Sequence, residues 1–327
     1  MNSTQTALVT GANGFVGQHM VAYLCARDIP CVATGRTGAF SGSQAVLYYP
    51  CDMLHRESVY QMVKQVSPTY IVHLANASSV PESWRRPTQF IRNNVLATEH
   101  LFDALVRTNT RPRVVIVGSA QEYAPPRNDV TALPLTESSL TIPSNPYGWS
   151  KLFQTWLSRY YASRYEIPVV VARTFNLIGP GAKGGVCAII ARTIARMERA
   201  EIPQTLTLGP VEVQRDFLDV RDAVSAYWQL ATYNCLSKPG EIFNVCSGKA
   251  RALSQLVHHF RSVARVTFDL IEDTRLSRRE EPAIVWGSPK KIEAATGWRP
   301  TYSIDQSIED ILEFYRAQTA LPEEGLS

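Results

Sequence analysis

The sequence predicts an α/β chain: a doubly wound parallel sheet followed by a smaller C-terminal α/β lobe. Short apolar runs recur at 7–9, 31–34, 45–49, 70–74, 114–117 and 169–172. Helical patterns at 15–25, 58–66, 88–106 and 146–163 separate most of them, and such alternation builds a parallel sheet with helices on both faces. Beyond Phe175 the pattern loosens into a glycine-rich stretch, 176–185, expected to be flexible. A helix follows at 186–198, then helices at 220–233, 252–263 and 304–315 and a strand at 242–245. Six strands already complete a sheet, so this remainder forms the second lobe. No internal repeat or low-complexity segment is visible.

The first strand runs straight into Gly11-Ala12-Asn13-Gly14-Phe15-Val16-Gly17 and a helix. Glycines here let the backbone turn sharply and approach a pyrophosphate, with the helix N-terminus facing the phosphates. The first two glycines stand three apart, a variant of the commoner spacing, and the whole reads as the start of a Rossmann-type unit. The predicted division is therefore a dinucleotide-binding domain over 1–175, with a return segment near 216–245, and a second lobe of 176–215 and 246–327.

At the end of the second strand, where an NAD enzyme carries an acid for the ribose 2′-hydroxyl, this chain has Arg36. A guanidinium pairs with a 2′-phosphate, so NADPH is favoured, with NADH the weaker ligand. Asp52 follows the third strand and either accepts from the adenine amine or caps a helix beginning near Met53. The cofactor set is Gly11, Asn13, Gly14, Phe15, Val16, Gly17, Arg36, Asp52, Met53, Leu74, Ala75 and Asn76, joined by Tyr147 and Lys151.

Composition closes off other classes. A net charge of +4 is spread along the 327 residues without a basic tract, which argues against nucleic acid. No apolar run approaches the ~20 residues of a membrane helix. Residues 1–5 are too short and polar for a secretory leader. The six cysteines, at 25, 31, 51, 187, 235 and 246, lack metal-ligand spacing, so no metal is expected and reduced thiols in a cytoplasmic protein are.

Ser119, Tyr147 and Lys151 form the candidate catalytic set. A Tyr–Lys pair one helical turn apart is usually an ordinary solvated face, but here it follows the glycine turn and a serine at the end of the fifth strand. A phenol titrates near pH ~10, so working near neutrality costs it roughly 4 kcal/mol. An ammonium about 6 Å away supplies roughly 2–3 kcal/mol at an effective dielectric of ~20. A second positive charge, such as an oxidised nicotinamide ring, can supply the rest. The expectation is a phenol made acidic by its lysine.

These segments resemble the extended short-chain dehydrogenase/reductase family. Its marks stand here as Thr10 to Gly17, Asp52, His73-Leu74-Ala75, Asn94 in Asn94-Val95-Leu96-Ala97-Thr98, Ser119, Tyr147 with Lys151, and Arg215 to Asp222. Within the family, Ala172 to Gly181, Phe243 to Gly248 and Gly297-Trp298-Arg299-Pro300 are most similar to the GDP-4-keto-6-deoxy-D-mannose reductases. The resemblance implies hydride delivery to carbon 4 of a keto sugar and a proton from Tyr147. Ser119 would bond the same oxygen, and Lys151 would bind the nicotinamide ribose.

For the substrate, the resemblance points to Asn176, Arg215, Arg278 and Glu281; Ser78, Ser119, Gln121 and Lys183 complete the candidate set. Sugar 4,6-dehydratases carry acids where this chain has Ala120 and Gln121, leaving nearby Glu122 as the only rescue. Fucose synthases carry cysteine and histidine where it has Gln121 and Gly181. The expected reaction is a plain reduction of a GDP-linked 4-keto-6-deoxy sugar to GDP-D-rhamnose. The alternatives are a 4-epimerase retaining NAD, a GDP-mannose 4,6-dehydratase and a non-catalytic dinucleotide-binding redox sensor. The helices at 88–106 and 146–163 resemble those through which relatives pair as four-helix-bundle homodimers.

Overall fold

The computed structural model describes residues 5–36, 38–42, 46–126, 133–234, 236, 238–276 and 282–318. Its main sheet contains β1 (Ala7–Thr10), β2 (Cys31–Gly35), β3 (Leu47–Pro50), β4 (Tyr70–His73), β5 (Arg113–Ser119) and β6 (Val169–Thr174). The helices between them are α1 (Phe15–Cys25), α2 (Arg56–Val66), α3 (Val80–Arg85), α4 (Pro87–Ile91), α5 (Ala97–Arg107) and α6 (Pro146–Tyr165). All six residues of β6 are buried, the pattern of a strand covered on both faces. Met20 and Leu24 of α1 pack on one face of the sheet, while Met62 of α2, Leu101 and Phe102 of α5 and Ala162 of α6 pack on the other.

The chain beyond β6, which includes the second lobe, contributes β7 (Asn176–Ile178), α7 (Val186–Glu198), β8 (Thr205–Leu208), β9 (Gln214–Asp219), α8 (Val220–Thr232), β10 (Glu241–Val245), β11 (Ala250–Ala252), α9 (Leu253–Val263), β12 (Asp269–Glu272), β13 (Ile284–Val285), α10 (Lys290–Thr296) and α11 (Ile304–Ala317). Not all of it belongs to that lobe. β10 returns to pair in parallel with β6, and α8 packs against α1. The main sheet is therefore seven-stranded, in the order β10-β6-β5-β4-β1-β2-β3, which corrects the six expected. A small sheet holds β11, β9 and β13, with β7 also on β9, and β8 pairs with β12. The lobe's core gathers Ile190 and Ile194 of α7, Leu256 and Phe260 of α9, and Ile308, Ile311 and Leu312 of α11.

Three further expectations shift. The stretch 176–185 begins with a strand, because β7 pairs with Phe217–Asp219 of β9. The single helix expected at 88–106 is divided into α4, a π-turn at Arg92–Leu96 and α5. The buried Asn94 accounts for the bulge: its Oδ1 accepts from Ala77 N at 2.8 Å, and its Nδ2 donates to Ala77 O at 3.0 Å and Ser150 Oγ at 2.8 Å. π-Bulges of this kind concentrate at functional sites. Finally, the helix after β3 starts at Arg56, capped by His55 through Ser58 N.

The carboxylate of Asp216, fully buried in β9, knits the second lobe to the main sheet. It accepts from Ser247 N and Oγ, both at 2.7 Å, from Gly248 N at 3.0 Å and from Gly287 N at 3.3 Å. Burial alone raises its pKa, and these donors oppose the rise. Asp216→Ala leaves buried N–H groups unmet and is expected to destabilise the fold by about 3 kcal/mol or more. Thermal unfolding of the variant beside the parent checks this.

Candidate active site

Steric requirements define the glycine turn. Gly11 has φ +66°, and a Cβ there would lie 2.7 Å from the Leu74 carbonyl and 2.8 Å from Ala75 N. A Cβ on Gly17 would lie 2.3 Å from Gly11 O. The loop after β4 therefore lies flat on the turn, where Thr10 Oγ1 accepts from Leu74 N and Ala75 N at 3.1 and 3.2 Å. The N-cap of α1, Gly14, provides no side-chain cap. The first N–H groups, from Phe15, Val16 and Gly17, are thus left for an external acceptor, as a pyrophosphate would be. Asn13 anchors the segment after β2, donating to Ala39 O at 3.0 Å and accepting from Ser41 N at 2.9 Å.

The remaining cofactor candidates surround this turn unequally. Arg36 is exposed immediately after β2. Asp52 is exposed too, with Oδ1 accepting from Leu54 N at 3.0 Å; it forms a local turn, and capping α2 falls to His55. The Met53 side chain belongs to the core, and its carbonyl accepts from His100 Nδ1 at 2.9 Å. Leu74, Ala75 and Asn76 are half-buried, with Asn76 Oδ1 accepting from Gln154 at 2.9 Å. A dinucleotide fits this cradle: uncapped amides, a floor without side chains and a cation past β2.

Ser119 ends β5, and Tyr147 and Lys151 lie in the first turns of α6. Asn145 caps that helix by accepting from Gly148 N at 2.8 Å. Gly148 permits close packing, since a Cβ there would lie 2.3 Å from Gln121 O. The Ser119 hydroxyl accepts from Gln121 N at 3.2 Å and stands near enough to the Tyr147 phenol to lower its pKa. Lys151 Nζ donates to Val117 O at 2.7 Å and Gln154 Oε1 at 3.1 Å, and it lies 5.9 Å from the Tyr147 ring centroid. An ammonium has a third proton. Among the described residues it has only those two acceptors, so that proton is left for a ligand.

The electrostatics correct the expectation of an acidic phenol. Burial pushes Tyr147 up to about 12, outweighing the lowering effect of the Ser119 hydroxyl, and burial brings Lys151 down to about 7 against the pull of Glu122. Counting the charge without the desolvation of both groups gives the wrong sign. Without ligand, Tyr147 holds its proton throughout the neutral range, which is the state required of a proton donor.

Glu122 is fully buried behind Ser119. Its Oε1 accepts from Ser119 N at 2.8 Å, and its Oε2 from Arg173 Nε and Thr155 Oγ1, both at 2.8 Å. An anion so engaged cannot exchange protons with a substrate, which removes the dehydratase rescue. Beside it, Gln121 Oε1 accepts from Asn145 Nδ2 at 2.8 Å, leaving the Gln121 amide hydrogens for another acceptor.

In the second lobe, a cavity of about 350 Å³ is lined by Asn176, Gly179, Leu208, Arg215, Phe217 and Ile311, among others. It adjoins the glycine turn, because a Cβ on Gly179 would lie 3.5 Å from the Phe15 ring. Asn176 Nδ2 donates to Asp216 O at 2.9 Å. Arg215 Nη1 donates to Gln214 O at 2.7 Å and Ala283 O at 3.3 Å. Lys183 and Ser78 are exposed. Arg278 and Glu281 lie outside the described residues. Sequence reasoning missed Gln154 and the Arg173 partner of Glu122. Only Gln154 carried a signal, three residues past Lys151 on the same helical face.

Among the described residues, no group of three or more His, Cys, Asp or Glu could hold a metal ion, and no helix is long and apolar enough to cross a membrane. Residues 7–246 match the NAD dependent epimerase/dehydratase family. The chain belongs to this family. A GDP-6-deoxy-D-mannose reductase of Pseudomonas aeruginosa is 34% identical over 318 residues, covering 96% of this chain and 98% of the relative. The structure of RMD from Pseudomonas aeruginosa complexed with NADPH superposes with a TM-score of 0.84 at 32% identity, covering 96% of this chain and 100% of that one. A UDP-glucose 4-epimerase of Lacticaseibacillus casei is more distant, 27% identical over 93% of this chain and 95% of its own.

The glycine turn is intolerant of side chains. Gly11→Ala would force a Cβ against the Leu74 backbone at a left-handed φ, so at least a tenfold loss of NADPH affinity is expected, from roughly 1.4 kcal/mol or more of strain. Fluorescence titration with NADPH, alongside circular dichroism to verify folding, checks it.

Proposed function

We propose that this chain is a reductase that uses NADPH to convert GDP-4-keto-6-deoxy-D-mannose to GDP-D-rhamnose. The observation carrying this reading is a buried Tyr147, close to the Ser119 hydroxyl and with Lys151 Nζ 5.9 Å from its ring, beside a carboxylate that Arg173 has taken out of use. When bound, the reduced nicotinamide supplies hydride. Tyr147 gives its proton to the ketone oxygen, which the Ser119 hydroxyl also bonds. Lys151 then faces the phenolate left behind, an anion that a nearby ammonium stabilises in a dry site. Arg36 supports the phosphorylated cofactor, and the 34% identity to a GDP-6-deoxy-D-mannose reductase supports the substrate. Asn176 and Arg215 stand where a diphosphate and its sugar would enter the cavity, with Gln121 offering amide hydrogens beside Ser119. The described cysteines are free thiols, in keeping with a cytoplasmic enzyme.

We further propose a homodimer through α4 to α6. Trp149, Trp156 and Tyr160 lie on one side of α6 at helical spacing, 38%, 51% and 56% exposed, and Ile91 and Leu96 are exposed on α4 and the π-turn, both of which pack against α6. A strip of aromatic residues this open marks an association surface. Sedimentation at micromolar concentration is expected to show a dimer, and Trp156→Arg to shift it to monomer; a parent that sediments only as monomer rejects this assembly.

The reaction is tested by incubating the protein with GDP-4-keto-6-deoxy-D-mannose and NADPH. NADPH absorbance should fall in step with ketone consumed, and ring couplings in the NMR spectrum of the product should be those of rhamnose. An epimerase retaining NAD would leave the absorbance unchanged. Tyr147→Phe should bind NADPH nearly normally and lose about 10²–10⁴ in turnover.

A further inference from the structure

Behind the catalytic residues, between the sheet and α6, Thr10, His73, Thr98 and Gln154 form a fully buried polar line. Proton counting fixes every direction in it. Thr98 donates its one hydroxyl proton to Asn94 O at 2.8 Å, so its oxygen accepts from Gln154 Nε2 at 2.7 Å and from His73 Nε2 at 3.1 Å. His73 therefore carries its proton on Nε2, and its Nδ1 accepts from the Thr10 hydroxyl at 2.9 Å. The Thr10 oxygen is itself met by the Leu74 and Ala75 amides on the glycine turn. The second amide hydrogen of Gln154 goes to Asn76 Oδ1, which leaves its one oxygen facing Lys151 Nζ at 3.1 Å. A flipped amide would set that oxygen against the Thr98 oxygen, whose proton is already given to Asn94 O, and turn its N–H groups toward the Lys151 ammonium, so the network holds it in one orientation.

We infer that Gln154 is a positioning residue that fixes the Lys151 ammonium from beneath and ties it, through Thr98, His73 and Thr10, to the turn that carries the cofactor. The inference rests on the reductase reading for what Lys151 does. The ionisable groups facing Lys151 are His73 from β4, Glu122 after β5, with Arg173 of β6 beyond it, and Tyr147 on α6. His73 is held neutral by burial, its pKa brought down to about 3, and Tyr147 is protonated. Near neutrality the local charges are then the lysine and the Glu122–Arg173 pair. A neutral amide acceptor orients the ammonium without adding an anion. Replacing it changes both orientation and proton affinity.

The test is the pH dependence of kcat/KM at limiting NADPH, which reports groups of the free protein. In the parent, a basic limb near pH 7 is expected as Lys151 loses its proton. Gln154→Glu places a carboxylate on Nζ and should move the limb upward by about 1 pH unit or more. Gln154→Met keeps the volume without the acceptor, and should move the limb downward while lowering kcat more than it changes KM. If Gln154→Met does not fold, Gln154→Ala is measured in its place, and the upward displacement in Gln154→Glu remains decisive. Limbs that coincide in parent and variants, or move in one common direction, overturn the inference. A Tyr147→Phe control as active as the parent, or no NADPH consumption at all, instead defeats the reductase reading.

Discussion

The site is organised around an ammonium removed from water. Placing Lys151 in the dry layer between the sheet and α6 carries a penalty of several kcal/mol unless acceptors meet it. The acceptors come from two directions. β4 pairs with β5 only as far as Ile116, while β6 continues alongside β5 to Ser119, so the last residues of β5 have one edge open. Val117 O, in that stretch, takes Nζ from the sheet, and Gln154 takes it from one turn further along the lysine's own helix. Each acceptor is fixed in turn: Val117 by the β5–β6 pairing, Gln154 by Thr98 and Asn76. The approach of α6 to the sheet, made close by Gly148 against Gln121, is a condition for both contacts.

The same dry layer divides the protons between Tyr147 and Lys151, the two ionisable groups of the candidate site. Burial favours the neutral form of each, so it raises the phenol and lowers the lysine. Free protein near neutrality therefore holds a protonated Tyr147 and a lysine close to its midpoint. A bound ligand bearing negative charge near the lysine would favour the ammonium, whereas the phenol needs no adjustment to serve as donor. Glu122 is kept from disturbing this arrangement by Arg173, whose guanidinium also lies over the Tyr123 ring at 4.7 Å. The pair is best understood as support for the Ser119 backbone, to which Glu122 is hydrogen-bonded, and not as a source of protons.

What the sequence revealed follows from how local each feature is. The glycine turn, Ser119 and the Tyr147–Lys151 spacing lie within a strand end or one helical turn, so adjacent residues suffice to read them. The π-turn is different: it depends on Asn94 reaching Ala77 and Ser150, 17 and 56 residues away. The seventh strand is a run of five residues whose partner, β6, lies far back in the chain; a return near 216–245 is expected from the sequence, but nothing within the run says that it pairs with β6 as a further strand of that sheet. The cavity is drawn from β7, β9, the segment after β8 and α11, whose only common property is position in the folded chain. The acidity of Tyr147 was misread for a related reason. Charge can be counted along a sequence, but desolvation belongs to the packed site.

The two lobes are held in relation by the path of the chain between them. It leaves the main sheet from β6 into β7, returns from β9 into α8, and leaves again from β10 into β11. Each crossing is fastened. Phe175 N donates to Val245 O at 3.0 Å, which joins the first to the third. Asp219 caps α8 through Arg221 N at 2.8 Å and also accepts from Ser307 Oγ at 2.6 Å, which joins the second to α11. Asp216 links β9 to the turn after β10. Asn176 and Arg215 lie within a few residues of these fastenings, and Ser119 is in register with Thr174 at the end of β6. Asn176, Arg215 and Ser119 are thus referenced to the same strand ends. Their separation is set by backbone pairing and leaves little to loop conformation, a condition for holding an extended ligand in one position.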